Sequence, residues 1–331
     1  MLIESSAPTR IDLAGGTIDI WPLYLFHGGA ETVNVAIDLY AKCRIETGGG
    51  GYTLEAKDTG ARVHAATPEE LVASGTLELL ARLVRFFNPP PGMTMVTECA
   101  APPGSGLGGS SALGIAVAGA LDRLVGTNFD RELLRTITTN VETAVIRVPA
   151  GLQDYYPALY GGVNALHFGT QGVAVEPLPV EPDQLERRLV LAYTGVPHFS
   201  GTNNWEIFKS HIDGSKEVFD GLDRIRVTAA NMREALLARD LDEAGRVLGE
   251  EWRNRRELAP GVSTAQIDEL IGVAHAVGAQ TAKVCGAGGG GCVVFWCDEG
   301  RKPDVDAAMR AAGVTVLDFR IDTGGLRVDV S

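Results

Sequence analysis

The chain has 331 residues, 45% of them hydrophobic and 21% charged, and a formal net charge of −13. That balance belongs to a folded globular protein, long enough for one large domain or two lobes, and it excludes a disordered chain. The acidity excludes a broad nucleic-acid surface, which needs a basic face, while no run approaches 18 consecutive apolar residues, so no membrane span is expected.

Residues 1–65 read as β-rich: Leu2–Ser6, Arg10–Leu13, Glu31–Ile37, Tyr40–Glu46 and Gly51–Ala56 alternate or form short apolar runs between Gly-rich turns. Pro68–Phe87 has a helical period, with Leu71, Leu77, Leu80, Leu83 and Val84 on one side. A β-prone run, Met93–Cys99, leads into the glycine-rich loop Pro102–Ala112. Helices are then expected over Ser111–Val125 and Arg131–Ala144. Pro149–Tyr160 reads as a loop, and Val163–Phe168 and Val173–Leu178 as strands. The Pro- and acid-rich stretch Pro177–Asp183 marks a boundary between an N-terminal lobe, residues 1–182, and a C-terminal lobe, residues 183–331. The second lobe opens with a strand, Leu189–Tyr193, and turns helical over Asn204–Ile212 and over Lys216–Arg256 with a break near Asp240. A helix over Thr264–Val277 leads to a second glycine loop, Gly286–Gly291, and a buried strand, Cys292–Trp296. A helix over Val305–Ala312 and strands at Thr315–Arg320 and Leu326–Val330 complete an α+β pattern with mainly antiparallel strands.

The five cysteines (Cys43, Cys99, Cys285, Cys292 and Cys297) are odd in number, sit in apolar runs and form no C-x-x-C pair. With no apolar leader in MLIESSAPTR, they read as reduced thiols of a cytoplasmic protein.

The loop PPGSGLGGSSA, Pro102–Ala112, is the most informative stretch. It puts several backbone N–H groups at a helix N-terminus, where unpaired donors and the macrodipole favour an anion. Its glycines allow close approach of a phosphate, and Ser105, Ser110 and Ser111 can add hydroxyl ligands for phosphate or Mg²⁺. No G-x-x-x-x-G-K-[ST] occurs, which removes the common P-loop. Gly104, Gly106 and Gly109 satisfy G-x-G-x-x-G, but the loop lies a third of the way along the chain rather than in an opening βαβ unit, which counts against a dinucleotide site.

Three clusters, Ala7–Asp19 (APTRIDLAGGTID), Pro102–Ala112 and Lys283–Cys292 (KVCGAGGGGC), come in an order and spacing that resemble the three signature motifs of the GHMP kinases. The central loop is close to that superfamily's P-x-G-x-G-L-G-S-S-A, with one extra glycine at Gly109. Within the superfamily, Leu13-Ala14-Gly15-Gly16 with Asp19, the GLGGSSA loop, and Gly151-Leu152-Gln153-Asp154 followed by Gly161-Gly162 look most like bacterial D-glycero-D-manno-heptose 7-phosphate kinases. Fucokinase and glucuronokinase domains share the opening form.

The resemblance implies a two-lobed α+β fold and transfer of the ATP γ-phosphate, with Mg²⁺, to a hydroxyl of a sugar or sugar phosphate, the anomeric one being expected. It implies that Pro103, Gly104, Ser105, Gly106, Leu107, Gly108, Gly109, Ser110 and Ser111 hold the ATP phosphates. Asp154 is then the base, and Arg10 holds it ionised. Asp12, Gly16, Thr17 and Asp19 fall on the substrate motif, with Gly16 and Thr17 replacing the Glu-His of galactokinase. Gly286, Ala287 and Gly288 are expected beside the substrate, and Glu142 with Ser111, or Ser110, as Mg²⁺ ligands.

Each residue also has a bland reading: Asp154 as a turn residue, Asp12 and Asp19 as caps, Glu142 as solvated helix charge, Gly286–Gly291 as a plain hairpin. His198, Ser200, Thr202, Asn203 and Asn204 offer neutral groups suited to sugar hydroxyls, or a helix cap. Arg253, Arg255 and Arg256 suit a substrate phosphate, or solvent. Other functions consistent with the chain are a heptose-7-phosphate kinase proper, a mevalonate-type kinase and a non-catalytic sugar or nucleotide sensor. The expected partner is a small sugar, with neither nucleic acid nor membrane, and a homodimer is left open.

Overall fold

The short apolar runs at the start of the chain merge into long strands. In the computed structural model, which describes residues 1–197 and 200–331, the latter without the side chains of 200–203, Leu2–Ala14 is one strand (β1) and Glu31–Thr47 another (β2). His198 and the side chains of Ser200, Thr202 and Asn203 therefore lie outside the described residues. β1 and β2 pair antiparallel from Leu2 opposite Glu46 to Ala14 opposite Val33, with irregularities at Ala7–Thr9 and Asp12–Ala14. Such bulges re-aim side chains, and the second one does so at Asp12. A short helix, Leu23–Phe26 (α1), lies between the two strands.

β2 is long enough to share its second edge. Its C-terminal half pairs with Met93–Cys99 (β5), and its N-terminal half with Val163–Gly169 (β6), which in turn pairs with Gly172–Pro177 (β7). Tyr52–Ala56 (β3) runs parallel to β5 and antiparallel to Ala61–Ala65 (β4). The final strand, Arg327–Val330 (β12), returns to β1, so the chain's end crosses back over the expected division at 182/183. The second sheet runs in the order Thr315–Val316 (β11), Leu189–Tyr193 (β8), Cys292–Cys297 (β10), Ala279–Val284 (β9).

The helical run at Pro68–Phe87 is two helices, Pro68–Ala73 (α2) and Glu78–Phe87 (α3), broken where Gly75 and Leu77 take positive φ. Gly109–Val125 (α4), Arg131–Ile146 (α5) and Tyr155–Tyr160 (α6) follow, with Pro182–Glu186 (α7) at the lobe junction. Beyond it lie Ser200–Ile212 (α8), Lys216–Leu237 (α9), Leu241–Arg256 (α10), Ala265–Ala276 (α11) and Lys302–Ala311 (α12). α4 is apolar on nearly every side because it is buried between the first sheet and α3, α5 and α6. Residues of β1 and β2 share a core with α9, α10 and the inner strands of the second sheet, which fixes the two sheets against each other. Cys43, Cys285, Cys292 and Cys297 are buried, Cys99 is partly so, and all five are free thiols.

Ile115, fully buried in α4, is a test of that first core. Ile115→Ala should cost about 2–5 kcal/mol, read as a lower denaturation midpoint with the slope unchanged.

Candidate active site

The loop between β5 and α4 is shaped by glycines that no other residue could replace cheaply. Gly106 has φ +75, and a Cβ there would come within 2.3 Å of the Cys285 carbonyl oxygen. Gly108, at the N-cap of α4, has φ +72, and no side chain caps the helix, so its first N–H groups face the cleft. Three backbone or near-backbone contacts pin the loop: Arg10 N donates to Leu107 O at 2.9 Å, Cys292 N to Ser105 O at 2.7 Å, and Arg10 Nη1 to Gly106 O at 2.5 Å. The result is a rigid, anion-favouring cradle.

Beside it stands Asp154, at the start of α6, whose carboxylate does not cap its own helix. Its Oδ1 accepts from Arg10 Nε at 2.8 Å and pairs with Nη2 at 2.6 Å. A Cβ on Gly108 would lie only 3.2 Å from the carboxyl carbon, so the carboxylate sits directly against the phosphate loop. The carboxylate remains about a quarter exposed, whereas Arg10 is 3% exposed. Burial works against the Arg10 charge, but Asp154 and Asp12 outweigh it and raise its pKa.

Glu142, on α5, is buried rather than solvated. It accepts from Ser110 on one oxygen, and from Ser111 at 2.8 Å and Tyr155 at 2.6 Å on the other. Burial pushes its pKa up, and the three hydroxyls oppose that.

The far wall of the cleft is polar. Buried Asp19 accepts from Gln153 N at 2.9 Å. Gln153 is buried too, and its Oε1 has no partner among the described residues. Thr17 donates to Asn204 Oδ1 at 3.0 Å and accepts from Arg255 Nη1 at 3.2 Å. Together with Arg10, Asp154, Glu142, Gly286, Ala287 and most of the loop, these groups line one cleft of about 450 Å³. A second hollow, of about 530 Å³ beside Glu186 and Phe319, holds none of the motif residues.

Residues 72–162 match the GHMP kinases N terminal domain, and residues 232–315 match the GHMP kinases C terminal family. A mevalonate kinase from Thermococcus gammatolerans is 30% identical over 245 residues, 72% of this chain and 69% of the relative. The chain belongs to the GHMP kinases. It is therefore a phosphotransferase acting on a hydroxyl group, with ATP as donor. It is also similar, at 28% identity over 98% of both chains, to a D-glycero-alpha-D-manno-heptose 7-phosphate kinase of Campylobacter jejuni. Among solved structures, a D-glycero-D-manno-heptose 1-phosphate kinase from Bacteriodes thetaiotaomicron superposes with a TM-score of 0.81, 27% identity and 99% coverage of both.

Within this GHMP kinase, four of the expected site residues stand back from the cleft. Leu107 is core, joined to Arg10 through its carbonyl. Gly288 packs on Val262, where a Cβ would lie 2.6 Å from that residue's carbonyl oxygen. Gly16 offers its carbonyl to Arg255 Nη2 at 2.9 Å, and Asp12 is fully buried behind the wall, accepting from Lys283 Nζ at 2.7 Å and Gly286 N at 3.1 Å. Of the three basic residues at the end of α10, Arg255 alone is buried and on the cleft; Arg253 and Arg256 are exposed. Gln153 and Lys283 fall inside the sequence motifs, and Glu251 in a stretch similar to the heptose kinases, but the sequence assigns no role to any of them or to Tyr155, although a lysine within the otherwise uncharged run of β9 is a visible signal.

Two predictions follow from this geometry. Gly106→Ala should lose at least about tenfold in nucleotide affinity by calorimetry, because a left-handed backbone and a carbonyl clash must both relax. Burial, against the opposing Gln153 hydrogen bond, raises Asp19 to about 6. The folded state then keeps this proton where the unfolded chain has lost it, so the group makes stability fall as pH rises from about 4 to about 6. Asp19→Asn should accordingly melt at or above wild type near neutral pH, with the advantage gone near pH 4.

Proposed function

We propose that this GHMP kinase is a sugar kinase that moves the ATP γ-phosphate to the anomeric hydroxyl of a free or phosphorylated sugar. The observation that carries the reading is the position of Asp154. It is held by Arg10, pressed against the phosphate loop at Gly108, and opens into the same cleft as Asp19, Gln153, Thr17 and Asn204. A carboxylate, two carboxamides and a hydroxyl make a set suited to a polyol rather than a mevalonate-like acid, and the likeness to heptose phosphate kinases and fucokinases supports a sugar acceptor. The anomeric hydroxyl is the most acidic of a sugar's hydroxyls and therefore asks least of a carboxylate base.

In this reading the acceptor oxygen bonds to the γ-phosphorus, the bond from that phosphorus to the β,γ-bridging oxygen breaks, and ADP leaves. Asp154 takes the acceptor's proton, while Arg10 orients the base and the N-terminus of α4 holds phosphate charge. Glu142, Ser110 and Ser111 form an all-oxygen donor set beside that cradle and would hold Mg²⁺. Bound there, the ion would neutralise charge on the phosphates. The N-terminal lobe, residues 1–182, would supply the nucleotide wall together with Thr17, Asp19 and Gln153 of the acceptor wall, and the C-terminal lobe, residues 183–331, would add Asn204, Arg255 and the Gly286 turn. Buried free thiols support a cytoplasmic setting.

The test is ADP release with Mg·ATP across free and phosphorylated hexoses, heptoses, deoxysugars and uronic acids. Sugar-dependent release that drops roughly 10²–10⁴-fold in Asp154→Asn is expected. Release that survives this substitution, or a panel silent despite tight ATP binding, would reject the proposal. On the acid side, kcat/KM for the sugar should fall below about pH 6 as Asp19 takes up its proton, and Asp19→Asn should lack that limb.

A further inference from the structure

A continuous chain of buried charges runs behind the cleft. Lys283, at the end of β9 and fully buried, donates from Nζ to Asp12 Oδ2 at 2.7 Å and Asp12 O at 3.0 Å. The same nitrogen lies 3.4 Å from Glu251 Oε2, an oxygen with no hydrogen-bond partner among the described residues. Glu251, equally buried on α10, accepts through Oε1 from Arg255 Nε at 2.7 Å.

The ends of this chain matter more than its middle. Arg255 passes its remaining donors to Gly16 O at 2.9 Å and Thr17 Oγ1 at 3.2 Å. Thr17 has φ +75, a left-handed backbone that a β-branched residue keeps only when its surroundings hold it. At the other end, Asp12 Oδ1 accepts from Gly286 N at 3.1 Å and lies 3.8 Å from Arg10 Nη1, whose guanidinium holds Asp154. Buried ion pairs are seldom worth their desolvation as stabilising elements alone. This one terminates on three loops of the cleft.

We propose that Lys283 is a positioning residue of the reaction. As the buried cation shared by Asp12 and Glu251, it fixes the acceptor turn at Gly16–Thr17 on one side, and the Gly286 turn with the Arg10–Asp154 pair on the other. The inference rests on the kinase reading of the cleft. Without Lys283, Asp12 and Glu251 become adjacent buried carboxylates short of one cation, and the turns they anchor loosen. A misplacement of about 1 Å at reacting groups costs on the order of 10²-fold in rate.

The experiment compares wild type with the double variant Asp12→Asn/Lys283→Met, which deletes the pair without leaving either charge alone, and with Glu251→Gln, which keeps the Lys283–Asp12 contact. The double variant should fold, lose about 10–10²-fold in kcat, and keep KM for ATP within about twofold. Amide hydrogen exchange should quicken at least about tenfold in residues 14–18 and 285–291, with β2 unchanged. Glu251→Gln should quicken exchange in residues 14–18 and raise KM for the acceptor. A folded double variant with kcat within about twofold of wild type would overturn the proposal, as would unchanged exchange in both turns. If the double variant does not fold, unchanged turn exchange and acceptor KM in Glu251→Gln overturn it. If wild type turns over no sugar, the kinase reading fails, while the exchange data still decide whether Lys283 positions the turns.

Discussion

The Arg10 guanidinium is the constraint on which the site depends. Removing such a cation from water costs several kcal/mol unless carboxylates and carbonyls replace the lost hydration. Here two of the replacements come from distant segments, Asp154 from the start of α6 and the Gly106 carbonyl from the glycine loop, and the third from Asp12, two residues along β1. The backbone N–H of the same residue binds Leu107 O. The glycine loop and Asp154, the proposed base, are thus both referenced to one residue in the middle of a 13-residue strand. A rigid strand is a better origin for two reacting partners than either loop would be.

The interlock with the second glycine loop obeys the same logic. Gly106 lies against the Cys285 carbonyl and Gly291 against the Ser105 carbonyl, contacts that a Cβ on either glycine would destroy. Neither loop has a shape of its own without the other. That explains why glycines recur in both segments, which lie about 180 positions apart in the sequence.

Alternation and turn chemistry make most of the fold legible, and they fail where charged residues interrupt a strand or where a helix is buried on every side. β4, Ala61–Ala65, alternates in burial as an edge strand should, but its Arg62 and His64 masked the pattern. α6 was read as loop because Tyr155 to Leu159 are all buried, leaving no amphipathic period to detect. β9 escaped notice because Gln280 and Lys283 interrupt it, although Lys283 is buried and paired. Thr315–Arg320 pairs only through Thr315 and Val316. In the site, the motif residues were visible because phosphate binding demands glycine and hydroxyl at close spacing. Their partners were not. Lys283 meets Asp12 from 271 positions away, and Arg255 meets Gly16 from 239, distances over which no local periodicity carries information.

The two walls of the cleft are made of different material, and this divides their chemistry. The donor wall is largely backbone: a helix N-terminus, glycines with positive φ, and serine hydroxyls, all of which answer to phosphate whatever molecule carries it. The wall proposed for the acceptor is side chains: Asp19, Gln153, Thr17 and Asn204, with Arg255 beside them. Relatives named for mevalonate and for heptose phosphates can therefore both resemble this chain, at 30% identity over 72% of it and at 28% over 98%. On the proposed reading, shared backbone preserves the donor site, and a handful of side chains selects the acceptor. On that reading the acceptor choice is cheap to change in sequence but tightly bound in space, because Thr17 and Arg255 are tied through Glu251 into the ionic framework that also seats Asp154.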